Sequence, residues 1–394
     1  MLFRSRNNLS ERQLPSLVII GNHTQGLGII HSAGSCKLPI FVLNDEVFSS
    51  SRFSKYISNY IKISHGTIKN LALASKNEEL TNALLSLPIG YPSILMGINE
   101  DIINYIYTNK NELSKKYYIP NNSYHLIFDK YEFNRLLEDE NKVPTYLLKD
   151  IDRESYLTDN YIMKSRVGNK LRNFIDEKAI KLNTISQSDL ESIYSNFNKD
   201  ELIIQEIIKS KYPVKSSCAF SIDGEIIGLF QYEKLRQHPN QFGTGTYLKS
   251  FFDAKILDIS QNILAKLRYT GISEIEFILD ERDNNYKIIE MNPRTWKSIN
   301  FSSQCGQNLV EKYIQFVLKN KVSPSTNYKI DYYWVDLFTD IPQMFREKRI
   351  FKYSRKNLFE CMFSISDPLP FISTILFSPI LFFKKIFNKR TLKN

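Results

Sequence analysis

The chain has 394 residues, too many for one ordinary domain, so two or three domains are expected. An apolar share of 42% and an aromatic share of 13% support real cores and exclude a disordered protein. Phe345–Asn394 alone carries eleven Lys/Arg against three Asp/Glu, which is +8 of the net +10, so the nearly neutral body lacks the basic face a nucleic-acid binder needs.

The four cysteines, Cys36, Cys218, Cys305 and Cys361, are far apart and form no CxxC pair. They suit a reduced, cytoplasmic compartment and argue against a zinc or disulfide framework. The first sixteen residues lack the apolar core of a signal peptide.

In chain order, Ser16–Gly21 (SLVIIG), Pro39–Asn44 (PIFVLN) and Ser93–Asn99 (SILMGIN) read as short buried strands. Helices are predicted between them, around Gln25–Ser35 and Ala74–Ser86. Buried strands joined by crossovers imply a small parallel α/β sheet. The turn GNHTQGLG after the first strand carries Gly21, Gly26 and Gly28, but its spacing departs from the dinucleotide fingerprint, so NAD is not expected. A tight turn whose amides can meet an anion is expected instead. His23 and Thr24 there are candidates for holding a substrate carboxylate, with an ordinary turn as the plainer reading.

From about Pro120 the pattern changes. Asp129–Glu140 has an N-cap aspartate and helical spacing, and Tyr161–Lys170 reads as a strand leading into a basic turn. Glu201–Ile208 is a strand, and Ser216–Lys234 is a hairpin turning at Asp223-Gly224. A helix follows over Asp253–Tyr269, and then two strands flank the turn ERDNN.

Those last two strands carry the chemistry. Side chains alternate between faces, so Glu290, Asn292 and Arg294 share one side, with Tyr286 and Ile288 expected there too and Lys287, Ile289 and Met291 opposite. On the preceding strand Glu274, Glu276, Ile278 and Asp280 share a face. An antiparallel register sets Glu276 beside Glu290 and Asn292. Two carboxylates and an amide oxygen are hard ligands suited to Mg²⁺ shared with phosphates. Without a cation they would repel one another and titrate upward.

With these residues in place, the sequence resembles the ATP-grasp superfamily of carboxylate–amine ligases. The likeness is to carbamoyl phosphate synthetase-type members and the carboligase branch of D-aspartate ligase-like proteins, and it covers about Ser16–Asn320. It implies an α/β chain: a small parallel pre-ATP-grasp domain at 1–119, an α+β ATP-grasp domain at 120–322 and a basic, apolar C-terminal extension at 323–394. It also implies ATP with Mg²⁺ (or Mn²⁺), a carboxylate activated as an acyl phosphate, an amine that attacks it, and release of ADP and phosphate. By the same resemblance Glu276, Glu290 and Asn292 hold the metal, and Lys130 and Lys164 contact nucleotide phosphates. Gln205, Glu206 and Ile207 resemble the hinge that holds adenine through its backbone, and Arg294 would hold the transferred phosphoryl group. Arg236, on a Glu233–Thr246 stretch similar to a carboligase loop, is the second catalytic candidate, with His238 beside it. One departure is the segment SRVGNKLRN, which has only Gly168 where the family has a glycine-rich loop; Arg166, Lys170 or Arg172 would act there in place of backbone amides. The rival readings are a degenerate nucleotide-binding regulator and a membrane-associated scaffold.

Pro368–Phe383 is a sixteen-residue uncharged run followed by Lys384, Lys385, Lys389 and Arg390. A spanning helix needs about twenty apolar residues, and Pro379 interrupts this one. Phe371, Phe377, Phe382 and Phe383 beside lysines suit a segment lying in the headgroup zone of an anionic leaflet. A buried helix packed on the body is the alternative. The expectation is a cytoplasmic ligase held at the inner membrane face, near a lipid-linked, cell-wall or cell-surface-glycan substrate.

Overall fold

The computed structural model describes residues 13–377 except 47–48, 72–75, 153–154, 156, 159, 169, 176–178, 241 and 349–351. Strands β1 (Leu17–Ile20), β2 (Ile40–Asn44), β3 (Asn59–Lys62), β4 (Ser93–Gly97) and β5 (Tyr117–Tyr118) pair in parallel in the order β3-β2-β1-β4-β5. Every residue of β1, β2 and β4 is buried, which is why these strands are continuous apolar runs rather than alternating ones.

Helix α1 (Thr24–Ala33) leaves β1 through Gly21, whose φ of 88° suits glycine. Gly28 has a different role from phosphate binding. A Cβ there would stand 2.9 Å from the Ile299 side chain, so the glycine lets α1 pack closely on a later helix. The predicted helix at 74–86 is observed as Glu78–Ser86; residues 74–75 lie outside the described residues.

Helix α2 (Lys130–Leu136) begins where expected, with the Asp129 carboxylate accepting from Tyr131 and Glu132 N–H groups. A small antiparallel sheet follows, made of β6 (Thr145–Leu147), β7 (Tyr161–Ser165), β8 (Ile180–Lys181) and β9 (Leu202–Glu206) in the order β6-β9-β7-β8. It has its own core around Met163, Leu171, Ile193 and Ile204.

The large sheet contains β10 (Lys215–Ile222), β11 (Glu225–His238), β12 (Thr244–Ser250), β13 (Gly271–Asp280) and β14 (Asn285–Asn292). Asp223 and Gly224 both have positive φ, 48° and 87°, as a two-residue hairpin turn requires. The stretch Glu233–Thr246, expected as a loop, is instead mostly strand: β11 runs to His238 and β12 begins at Thr244. Packing against the large sheet, α3 (Ile299–Gln304) meets α1, and one continuous core joins Leu27 and Ile20 to Phe220, Phe301 and Ile314.

The segment from 323 onward extends this sheet. β15 (Tyr333–Val335) pairs antiparallel with β12, and β16 (Leu358–Glu360) pairs parallel with β15, with α4 (Leu337–Arg346) between them in sequence. Residues 369–377 are helical, and the rest of the apolar run, with Phe382, Phe383 and the lysines after it, lies outside the described residues. Because the parallel sheet and the large sheet share a core while the small sheet has its own, a cleft lies between the small sheet and the large one.

Candidate active site

The β13–β14 hairpin aligns Glu276 with Glu290 and Glu274 with Asn292. The register then shifts between Glu276 and Phe277, so Phe277 pairs with Ile288 and Ile289 is the extra residue of a β-bulge. This corrects the expected faces. Ile288 and Tyr286 join Phe277 on the core side, both buried, while Ile289 turns toward Ile278 on the cleft side.

The polar face is tightly bonded. Lys234 Nζ lies 2.7 Å from Glu276 Oε1, and Asn292 Nδ2 donates to Glu274 Oε2 at 3.2 Å and to Glu290 Oε1 at 3.3 Å. Arg294 donates from one terminal nitrogen to Asn292 Oδ1 at 2.9 Å and from the other to the Thr295 carbonyl at 2.8 Å; its Nε is buried without a partner among the described residues. Glu274 is 3% exposed and accepts a short bond from Tyr232 Oη. Burial above all, and then the charge of Glu276, push its carboxyl up to about 7, against the pull of Lys234. Carboxylates that resist ionising together fit a divalent cation such as Mg²⁺, and Asn292 would join them by turning the Oδ1 that now accepts from Arg294 toward Glu290.

Glu276 and Glu290 open onto a cleft of ≈ 720 Å³ between the two sheets. Its opposite wall is β7 and β9: Lys164, Gln205, Glu206, Ile207 and Ile208 line it. Lys164, 7% exposed, donates to Gln205 Oε1 at 2.8 Å, and Gln205 Nε2 donates to Thr145 Oγ1 at 3.2 Å. Glu206 is paired with Arg282 at 2.6 Å, and the Ile207 N–H donates to the Asn160 carbonyl. A volume of this size, walled by apolar residues and lysine on one side and acids on the other, can hold a nucleotide.

Comparison with known proteins agrees with this geometry. Residues 244–323, which contain the whole β13–β14 face, match the family described as carbamoyl-phosphate synthase L chain, ATP binding domain. The D-aspartate ligase of Enterococcus faecium (strain Aus0004) is 24% identical over 303 residues, 75% of this chain and 67% of that protein. Among solved structures, N5-carboxyaminoimidazole synthetase from Staphylococcus aureus superposes with TM-score 0.60 at 17% identity, covering 86% of this chain and 88% of that one. Its complex with ADP gives 0.57 at 16% identity, with 82% of each chain covered. L-amino acid ligase from Bacillus licheniformis gives 0.56 at 13%, covering 78% of this chain and 75% of its own. The chain is similar in sequence and in fold to ATP-grasp ligases.

Within this ATP-grasp-like fold the remaining candidates are placed unevenly. Lys130 does not line the main cleft; its Nζ lies 3.4 Å from Glu100 Oε1 and from the Gly168 carbonyl, in a smaller pocket shared with Gln205, Glu290 and Asn292. Arg166 is paired with Asp129 at 2.7 Å and Lys170 with Glu201 at 2.6 Å, so both are engaged in ion pairs around the turn they were expected to replace. Nothing is described of the Arg172 side chain. Arg236 lines the cleft, but its guanidinium is committed to Asp340, at 2.7 Å, and packed between the rings of Tyr247 and Tyr353. Asp340 is fully buried; burial pushes its carboxyl up, yet hydrogen bonds from Arg236, Thr246 and Tyr353 hold it below the usual range. His238 Nδ1 meets Gln343 Oε1 at 2.5 Å.

His23 caps α1, accepting the Gln25 N–H through Nδ1. Although His23 keeps an exposed edge, desolvation by its surroundings first, then the charges of Lys297 and Arg294, lower its imidazole to about 4, so it is neutral near pH 7. Gln25 in turn donates to both Thr295 O and Oγ1, which sets the glycine turn against Arg294. Asp336, Glu360 and Cys361 place ligand atoms within 4.8 Å of one another, but Asp336 is already paired with Lys297 and caps α4 through Thr339.

Two residues escaped the sequence reading of roles. In the sequence Lys234 stands only as the end of the Ser216–Lys234 hairpin and within the Glu233–Thr246 stretch; its place two positions before Arg236 on one strand is the available signal. Glu274 was seen to share the acidic face, but its burial beside Tyr232 was not legible.

Proposed function

We propose that this ligase uses ATP to convert a carboxylate into an acyl phosphate and couples it to an amine, releasing ADP and phosphate. The in-register pair Glu276 and Glu290, with Asn292, facing Lys164 across one cleft, carries the reading. Glu276, Glu290 and Asn292 would hold Mg²⁺, which when bound supplies neutralisation of the phosphate oxygens. Lys164 would pair with nucleotide phosphate, and the Gln205–Ile207 strand end would receive the base. Lys130, behind Glu290 and Asn292, would reach phosphate after leaving Glu100. Arg294, anchored by Asn292 and Thr295, would steady the transferred phosphoryl group, whose developing charge a planar cation matches. Arg236 would act by holding the β11–β12 wall rather than by touching substrate, since Asp340 satisfies it.

Two of the relatives are named for amino acids, a D-aspartate ligase and an L-amino acid ligase, so an acidic amino acid is the first carboxylate to offer and amino acids are the first amines. The four cysteines are free thiols, in keeping with a cytoplasmic enzyme, and the basic apolar segment supports a place on the inner membrane face near a lipid-linked substrate. Release of ADP that requires Mg²⁺ and rises with one carboxylate–amine combination supports the proposal. Nucleotide binding without turnover across such a panel would favour a regulatory role instead.

A further inference from the structure

Residues 369–377 form an uncharged helix whose two faces are the reverse of what solvent favours. Toward the body, Pro370 and Ser373 are buried, and Phe371 packs edge-on against Phe338 and Phe363 at 5.9 and 5.4 Å. Outward, Leu369, Ile372 and Leu376 are 55%, 45% and 66% exposed, at the spacing that makes one stripe of a helix. Ile365, 89% exposed, and Phe363, 44% exposed, carry the apolar surface onto the preceding turn.

The stripe is held in place by the first domain. Asp367, 1% exposed, accepts from the Ser54 hydroxyl at 2.5 Å, the Lys55 N–H at 3.1 Å and His31 Nε2 at 3.2 Å. That anchor sets the exposed Arg52 and Lys55 close to the helix, and Phe53 stacks on Phe377 at 6.1 Å. Beyond 377 the sequence adds Lys384, Lys385, Lys389, Arg390 and Lys393 and no acid. An exposed apolar stripe with Arg52 and Lys55 beside it, and further cations next in the sequence, calls for a surface that is both apolar and anionic.

We infer that the Phe363–Leu376 face is a preformed lipid-contact surface that seats the enzyme on an anionic bilayer, with Arg52 and Lys55 on the headgroups. It gives residues and an orientation to the membrane placement proposed above, and rests on that placement but not on the ligase chemistry. No helix among the described residues is long and apolar enough to cross a membrane, so the contact is peripheral. A second copy of the chain is the poorer occupant, because its own cations would face these ones across the contact.

The test uses the full chain with vesicles of phosphatidylcholine alone, or mixed with phosphatidylglycerol in equal parts. Cosedimentation is expected only with the mixed vesicles and should weaken about tenfold on raising salt from about 0.05 to 0.5 M. Ile372→Glu combined with Leu376→Glu should reduce binding about tenfold or more while leaving the melting temperature and ATP turnover without vesicles unchanged. Those residues are exposed and lie outside the cleft, so turnover reports on the ligase reading separately from the membrane one. The inference is overturned if the full chain ignores mixed vesicles or if the double variant binds them equally. It is also overturned if that variant melts lower, because the face would then be covered by the protein itself, or if it splits a dimer instead.

Discussion

Lys234 Nζ lies 2.7 Å from Glu276 Oε1, a cation from β11 pressed against an expected metal ligand on β13. Both side chains are largely buried, 7% and 12% exposed, so neither charge is well served by water. The ammonium partly answers the negative charge that Glu274, Glu276 and Glu290 concentrate on one face. Lys234 also lines the cleft, where its ammonium can meet phosphate once a cation takes Glu276, so Lys234→Met should lower kcat by about 100- to 1000-fold, the cost of losing one positioned charged donor, without weakening Mg²⁺ binding. Steady-state kinetics and a Mg²⁺ titration check both halves; weakened Mg²⁺ affinity would make Lys234 a support for the ligand set rather than a group acting on phosphate.

Glu290→Gln keeps side-chain size and removes one charge from the face. Mg²⁺-dependent ADP release should fall at least 100-fold, with the melting temperature close to that of the parent. Retained turnover with an unchanged fold would remove Glu290 from the metal set.

Lys164→Met should weaken ATP binding by about tenfold or more, because a buried ammonium facing the cleft has phosphate as its natural counter-charge. Isothermal titration with ADP and with a non-hydrolysable ATP analogue measures it. Equal affinities for parent and variant would return this lysine to a structural partner of Gln205.

Glu274 gives the site a pH signature. Its carboxyl is raised from 4.5 to about 7, so the folded protein holds this proton more tightly than the unfolded chain does. Its contribution to stability is thus fully present below about 4.5 and is lost as pH rises through about 7, amounting to at most about 3 kcal/mol. Glu274→Gln should flatten this dependence between pH 5 and 8 in metal-free protein, as read from melting curves. Mg²⁺ should flatten it in the parent as well. A slope unchanged by the substitution would assign the pH dependence to another group.

The Arg236–Asp340 pair joins β11 to α4, which brings Gln343 and Met344 to the cleft rim. Asp340→Ala leaves Arg236 without its carboxylate in a mostly buried setting and should cost about 3–5 kcal/mol in denaturant unfolding. Arg236→Met with Asp340→Leu should recover much of that loss, since removing both charges avoids an unpaired one. Failure of the double variant to recover would mean the pair does more than tie the two elements together.

Much of the site was legible before any fold was known. Alternation places Glu274 and Glu276 on one face and Glu290 with Asn292 on its partner, and the ERDNN turn makes the two strands adjacent; the observed pairs are Glu276–Glu290 and Glu274–Asn292. The bulge at Ile289 was not legible, because one inserted residue reverses every side chain beyond it without altering the composition. Arg166 and Lys170 read as free cations in sequence, and only the folded positions of Asp129 and Glu201 show what binds them.

By itself, the sequence determined the buried strands β1, β2 and β4, the Asp129 helix cap, the Asp223-Gly224 hairpin turn and the spacing of the acids. These depend on backbone dihedrals and on bonds between residues a few positions apart, and such information is local. Only the tertiary structure decided which cations face the cleft and which are consumed. Lys234 meets Glu276 across 42 positions and Arg236 meets Asp340 across 104, and those pairings are settled by which charges the folded sheets remove from water together.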